Sequence, residues 1–273
     1  TFFWDKYEKS NWFLEQIIAT ADQDVTSRKV AFLLQTPQQD GGQWDMVVSL
    51  FEKYGVVPKS VYPESISSSN SRELNTYLNK LLRQDAQILR ELLASGADQA
   101  TVQSKKEELL QEIFNFLAMS LGLPPRTFSF SYRDKDNNFH TESGLTPQSF
   151  YKKYVDLQLE DYVSVINAPT ADKPYGQSYT VEMLGNVVGS REVRYLNVPM
   201  ERLKELAIAQ MQTGETVWFG SDVGQLSNRK AGILATDVYD FESSMDIQLT
   251  QDKAGRLDYS ESLMTHAMVL TGV

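Results

Sequence analysis

Two long helical stripes in direct succession constrain the fold of this chain more than any other feature. Leu74, Leu78, Leu81, Ile88 and Leu92 fall on one helix face, and Gly96 stops the run. Val102, Leu109, Ile113, Leu117 and Leu121 form the second stripe, which ends at Gly122 before Pro124-Pro125. Asn70 and Glu73 have the spacing of a capping box, and the second helix starts near Asp98. So short a break between two helices makes them antiparallel neighbours, a helical hairpin. Residues 65–71, Ser-Ile-Ser-Ser-Ser-Asn-Ser, read as a polar linker leading into it. Charges such as Lys105-Lys106-Glu107-Glu108 read as its solvated face.

On either side of the hairpin the patterns differ. Upstream, Phe3, Trp4, Tyr7, Phe13, Leu14, Ile17 and Ile18 recur as a helix with one polar break. A loop leads to Val30–Leu34; a further helix from Gln43 carries Trp44, Val47, Val48 and Phe51, with Trp44 expected in the core. Gly55 suits a left-handed cap there, with Pro58 beyond. Downstream, Phe128-Ser129-Phe130-Ser131-Tyr132 alternates as a strand, with Phe139-His140-Thr141 as its returning partner. Thr146-Pro147 opens a short helix through Tyr154. Strand-like segments follow at 162–166, 179–183, 192–198, 216–220 and 232–234, interrupted by a helix from Pro199 to Gly214. Helices early and strands late make the class α+β.

Length and composition exclude several functions. A chain of 273 residues holds one large domain or two modest ones, and its 41% hydrophobic content is that of an ordinary globular protein. A net charge of −10 repels nucleic acid and anionic membrane surfaces. No stretch reaches membrane-spanning length and no export signal is present, so the expected compartment is the cytoplasm. With no cysteine and only 2 histidines, neither a disulfide nor a zinc site is expected, and no phosphate-binding loop appears; no cofactor or metal is assigned. Ser149–Lys152 and Ser227–Lys230 have a Ser-x-x-Lys spacing without the motifs that accompany it in hydrolases.

Two stretches carry chemistry. Residues 261–273 hold His266 at the mouth of the apolar run Ala267-Met268-Val269-Leu270, which reads as a buried strand. Alone, that pattern suits a core histidine bonded to a carbonyl better than one aimed at a site. His140, in the polar hairpin, is expected at the surface. Gly41-Gly42 precedes a helix; a glycine pair lets another main chain approach closely, although alone it is more often an ordinary turn.

Together, Asp-Gly-Gly-Gln-Trp-Asp (40–45), Lys-Tyr-Gly-Val-Val-Pro (53–58), Val-Tyr-Pro-Glu-Ser (61–65) and Met-Thr-His-Ala-Met-Val-Leu-Thr-Gly-Val (264–273) closely resemble one family. It is the bleomycin hydrolase or aminopeptidase C branch of the papain-like cysteine peptidases, and the likeness runs from Phe2 to Val273. The resemblance implies a papain-like two-lobe fold with a helical insertion. It also implies a catalytic base at His266, substrate-backbone binding at Gly41 and Gly42, peptide substrates attacked from the N-terminus, and a homohexamer. The nucleophilic cysteine of that family, its oxyanion-stabilising Gln and its orienting Asn fall outside residues 1–273.

The expected organisation is thus 1–64, the remainder of the helical lobe; 65–125, the inserted hairpin, serving assembly; and 126–273, a β-rich lobe ending at the histidine strand. The aromatic start at Thr1-Phe2-Phe3-Trp4 and the apolar end at Leu270-Thr271-Gly272-Val273 suggest a chain cut at both ends. The reading that follows is part of a cysteine aminopeptidase. A non-catalytic binding or assembly module is the alternative, since a chain without cysteine fits that as well.

Overall fold

A computed structural model describes residues 1–235 and 238–273. The chain forms two units, residues 1–162 with 181–193, and residues 163–180 with 194–273.

The first unit is built on α1 (Phe2–Ala19), with α2 (Arg28–Gln35), α3 (Trp44–Tyr54) and the one-turn α4 (Ile66–Ser69) around it. The hairpin expected from the sequence is present as α5 (Arg72–Ala94) and α6 (Gln99–Leu121). Phe3, Phe13, Leu14 and Ile17 of α1 share one core with Leu74, Leu78, Leu82 and Leu89 of α5 and Leu109, Ile113 and Leu117 of α6. Each such side chain contributes about 1.5–3 kcal/mol by leaving water. Because α5 packs against both α1 and α6, its buried face is wider than a single stripe. Leu82, Asp85, Ala86 and Leu89 are fully covered, while Leu81, Ile88 and Leu92 are half-buried at its margin.

Local signals were partly misplaced. The capping box lies at Ser65 and Ser68 and nucleates α4 inside the supposed linker, whereas α5 begins after Ser71 without a side-chain cap. Asp98 does cap α6, accepting from the Thr101 N–H at 2.8 Å. Gly55 closes α3 at φ 65° and ψ −162°, outside the left-handed helical region. That extended turn lets the Val56 N–H reach the Pro147 carbonyl at 3.2 Å. Trp44 is half-buried, its ring 5.5 Å from that of Tyr162. Strands β1 (Phe128–Arg133) and β2 (Phe139–Leu145) pair antiparallel, and α7 (Pro147–Phe150) runs on into a π-turn over Tyr151–Val155.

The second unit holds short strands. β3 (Val165–Ile166) pairs in parallel and β4 (Ser178–Thr180) antiparallel with β5 (Arg194–Asn197). Helix α8 (Met200–Gln212) precedes β6 (Val217–Ser221). Next come the ribbon of β7 (Ser227–Asn228) with β8 (Ile233–Leu234), then α9 (Phe241–Met245) and α10 (Lys253–Asp258). Strand β9 (His266–Leu270) pairs antiparallel with β6 alone among the described residues. The expected strand at 266–270 therefore forms, but it is not buried: His266, Ala267 and Val269 are exposed and Met268 and Leu270 half-covered. A two-stranded ribbon has too little neighbouring surface to cover both of its faces.

Candidate functional site

In the first unit the glycine segment is anchored from below by charged side chains. The polar break in the α1 pattern is Lys6, Glu8, Lys9 and Ser10, and all are buried. The Lys6 ammonium donates to Gln38 Oε1 at 2.8 Å and pairs with Asp40. Lys9 donates to Asp5 at 2.6 Å, to the Gln39 carbonyl at 3.0 Å and to the Gly41 carbonyl at 2.7 Å. These three acceptors use all three of its N–H donors. A buried ammonium is stable only when so satisfied.

Helix α5 holds the same segment from another side. Asn79 exchanges two hydrogen bonds with the Gln38 main chain, at 3.0 and 3.1 Å. Asn75 Oδ1 accepts from Gln38 Nε2 at 2.9 Å, and Asn75 Nδ2 donates to Asp40 at 3.0 Å. Ser71 adds a hydroxyl donor to Asp40 at 2.5 Å. Burial pushes the Asp40 carboxyl up, but the donors Lys6, Ser71 and Asn75 outweigh it and hold it down at about 2. For Lys6 burial is the larger effect and lowers its pKa, with Asp40 opposing.

Above these anchors the glycines are open. Gly41 and Gly42 are exposed. A Cβ on Gly42 would meet nothing within 4 Å, and one on Gly41 would meet only the Gln39 side chain at 3.8 Å. Among the described residues the Gly42 main chain makes no hydrogen bond. Such a segment can accept an extended peptide by main-chain pairing.

His266 belongs to the second unit, where it opens β9 opposite Ser221. The Thr265 N–H bonds the Ser221 carbonyl at 3.1 Å and Thr265 Oγ1 accepts from the Val223 N–H at 3.3 Å, fixing the strand entry. Gly220 leaves the space that the Met264 thioether fills; a Cβ there would overlap it. The His266 ring is exposed and has no hydrogen-bond partner among the described residues. It is thus not the carbonyl-bonded core histidine that the local pattern also allowed. His140 lies at the surface as expected, paired with Asp134 at 2.8 Å.

Gly41 and Gly42 therefore stand together with Lys6, Lys9 and Asp40 in one unit, and His266 with Ser221 and Thr265 in the other. Sequence reasoning missed the lysines and the part played by α5. The signal was the charge interrupting an apolar helix face at Lys6, Glu8 and Lys9. No cluster of three metal-ligating side chains occurs among the described residues.

The sequence profile of the Peptidase C1-like family matches residues 1–273. Aminopeptidase C of Streptococcus thermophilus is 81% identical over 273 residues, all of this chain and 61% of that protein. Aminopeptidase C of Lactococcus lactis is 68% identical with the same coverage. The crystal structure of pepw from Lactobacillus rhamnosis superposes with a TM-score of 0.97 at 61% identity, covering 100% of this chain and 61% of that one. The chain thus spans 61% of the length of the curated relatives it matches. Its α+β fold is papain-like, and the chain belongs to the Peptidase C1-like family.

Proposed function

We propose that this chain is the part of a cysteine aminopeptidase that supplies its base, His266, and its substrate-binding glycines, Gly41 and Gly42. The observation that carries the reading is the anchored but outwardly open Gly41-Gly42 segment, whose Gly42 main chain is unpaired among the described residues. An exposed imidazole at the start of β9, without a hydrogen-bond partner among the described residues, supports it.

The substrate main chain pairs with the glycines, and a cysteine thiolate from outside residues 1–273 attacks the scissile carbonyl. Protonated His266 gives its proton to the leaving amine, forming the acyl-enzyme. It then takes a proton from water, whose oxygen displaces the thiolate. An Asn orients the imidazole and a Gln stabilises the oxyanion, both also outside the chain. The hairpin within residues 65–125 belongs to an insertion serving assembly into a homohexamer, and the enzyme works in the cytoplasm on the N-termini of peptides. The test is turnover of an aminoacyl-coumarin by the full-length protein: release of the coumarin sustains the reading. A folded, inert full-length protein would instead establish the binding module, which a chain without cysteine fits as well.

A further inference from the structure

We infer that Lys9 is a positioning residue for the peptide substrate, turning the Gly41–Gly42 peptide unit so that the Gly42 N–H faces outward as a donor. The inference rests on the reading of Gly41-Gly42 as the substrate segment and adds the device that sets its geometry. In a trans peptide the C=O and the following N–H point in opposite directions. No cis peptide occurs among the described residues. The Gly41 carbonyl is drawn inward to the Lys9 ammonium at 2.7 Å, so the N–H of the same peptide unit, that of Gly42, points away from α1. It has no partner among the described residues, and Gly42 is exposed. The ligand class that fits is an extended peptide offering a main-chain carbonyl.

Several details separate this from ordinary packing. Glycine can rotate its flanking peptide units more freely than any other residue, so a Gly-Gly pair needs an external constraint to hold one orientation. Lys9 supplies two such constraints, at Gln39 and Gly41, from a side chain only 8% exposed. Its charge is balanced by Asp5 at 2.6 Å on the same helix, which leaves its other two donors for the segment. Among the described residues the Lys6 ammonium donates to the side chains of Gln38 and Asp40 and not to the glycine main chain.

The test uses the full-length enzyme and a short peptide with a free N-terminus, whose N-terminal residue is followed on release, with active sites titrated by a thiol reagent. Lys9→Met is expected to raise KM about tenfold per titrated site with kcat changed by less than about threefold. Gly42→Val should raise KM similarly, and the double variant should add little to either, because both act on one peptide unit. Lys9→Gln, one bond shorter and uncharged but still an N–H donor, should fall between wild type and Lys9→Met. It serves as the test if the methionine variant does not fold. An unchanged KM in a folded Lys9 variant, beside a raised KM in Gly42→Val, overturns the role of Lys9 alone. An unchanged KM in Gly42→Val overturns the underlying reading and the inference with it.

Discussion

Trp4 and Tyr54 are stacked, with ring centroids 4.1 Å apart and planes 6° from parallel. The stack joins the start of α1 to the end of α3 and places the Tyr54 hydroxyl on Glu8, a carboxylate only 1% exposed. Lys53 completes the group at 2.7 Å. Burial and the Glu8 charge both raise the Tyr54 pKa, so the phenol remains a donor at any working pH. Tyr54→Phe keeps the ring stack but removes that donor from a buried carboxylate. The expected cost is about 1–3 kcal/mol, read as a lowered urea midpoint. A midpoint equal to wild type would show that Lys53 alone suffices for Glu8 Oε1.

At Gly55 the next residue of the same corner is constrained by its backbone. Its φ of 65° with ψ of −162° is open to glycine and costly for other residues, and a Cβ there would overlap the Pro147 backbone. Gly55→Ala should therefore destabilise by more than the ~1–3 kcal/mol of the dihedral strain alone. Gly96→Ala is the control, because Gly96 also has a positive φ, 84°, but open space around it. Comparable melting temperatures for the two variants would remove the steric part of the argument.

These cases show what the sequence made legible. Helix stripes at 74–92 and 102–121 were readable because a 3.6-residue period survives any tertiary context, and the start at Asp98 was readable because its cap is local. The capping box at Ser65 and Ser68 was missed because serines in a polar run look alike until one of them accepts a bond. Gly41, Gly42 and His266 could be singled out only through the family resemblance, since a glycine pair or a histidine beside a strand has several ordinary uses. Lys9 and Asn79 act on residues 30 or more positions away in the chain, and no local pattern encodes such a partnership.

Asp85 gives the fold a pH dependence. It is fully buried on α5, and neither carboxylate oxygen has a hydrogen-bond partner among the described residues. Burial, then repulsion from Glu112, pushes its pKa up to about 7, with Lys105 opposing. At a pH below the unfolded carboxyl's ordinary value of 3.8 both states are protonated and nothing is lost. As pH rises from there to about 7, only the unfolded state releases its proton, so stability falls across that window. Asp85→Asn should thus raise the melting temperature at pH 8 more than at pH 4. A difference from wild type that is the same at both pH values would place the effect in packing and not in ionisation.

His266→Ala in the full-length enzyme is the decisive test of the base. The His266 ring begins β9, free of partners among the described residues, and Thr265 fixes the strand just before it. A base that acts as a unit with its nucleophile is not replaced by water, so kcat for an aminoacyl-coumarin should fall by at least ~10³-fold. Without the imidazolium beside it, the thiol returns toward its ordinary pKa of about 8.5. The residual activity should accordingly lose the limb of the pH–rate profile set by the thiolate–imidazolium pair, and labelling by iodoacetamide at pH 6 should slow. Because the side chain is exposed, the substitution should leave the melting temperature near wild type, which separates lost chemistry from lost structure. Equal turnover by wild type and variant would remove His266 from the catalytic machinery, and a wild type that is itself inert would establish the non-catalytic module.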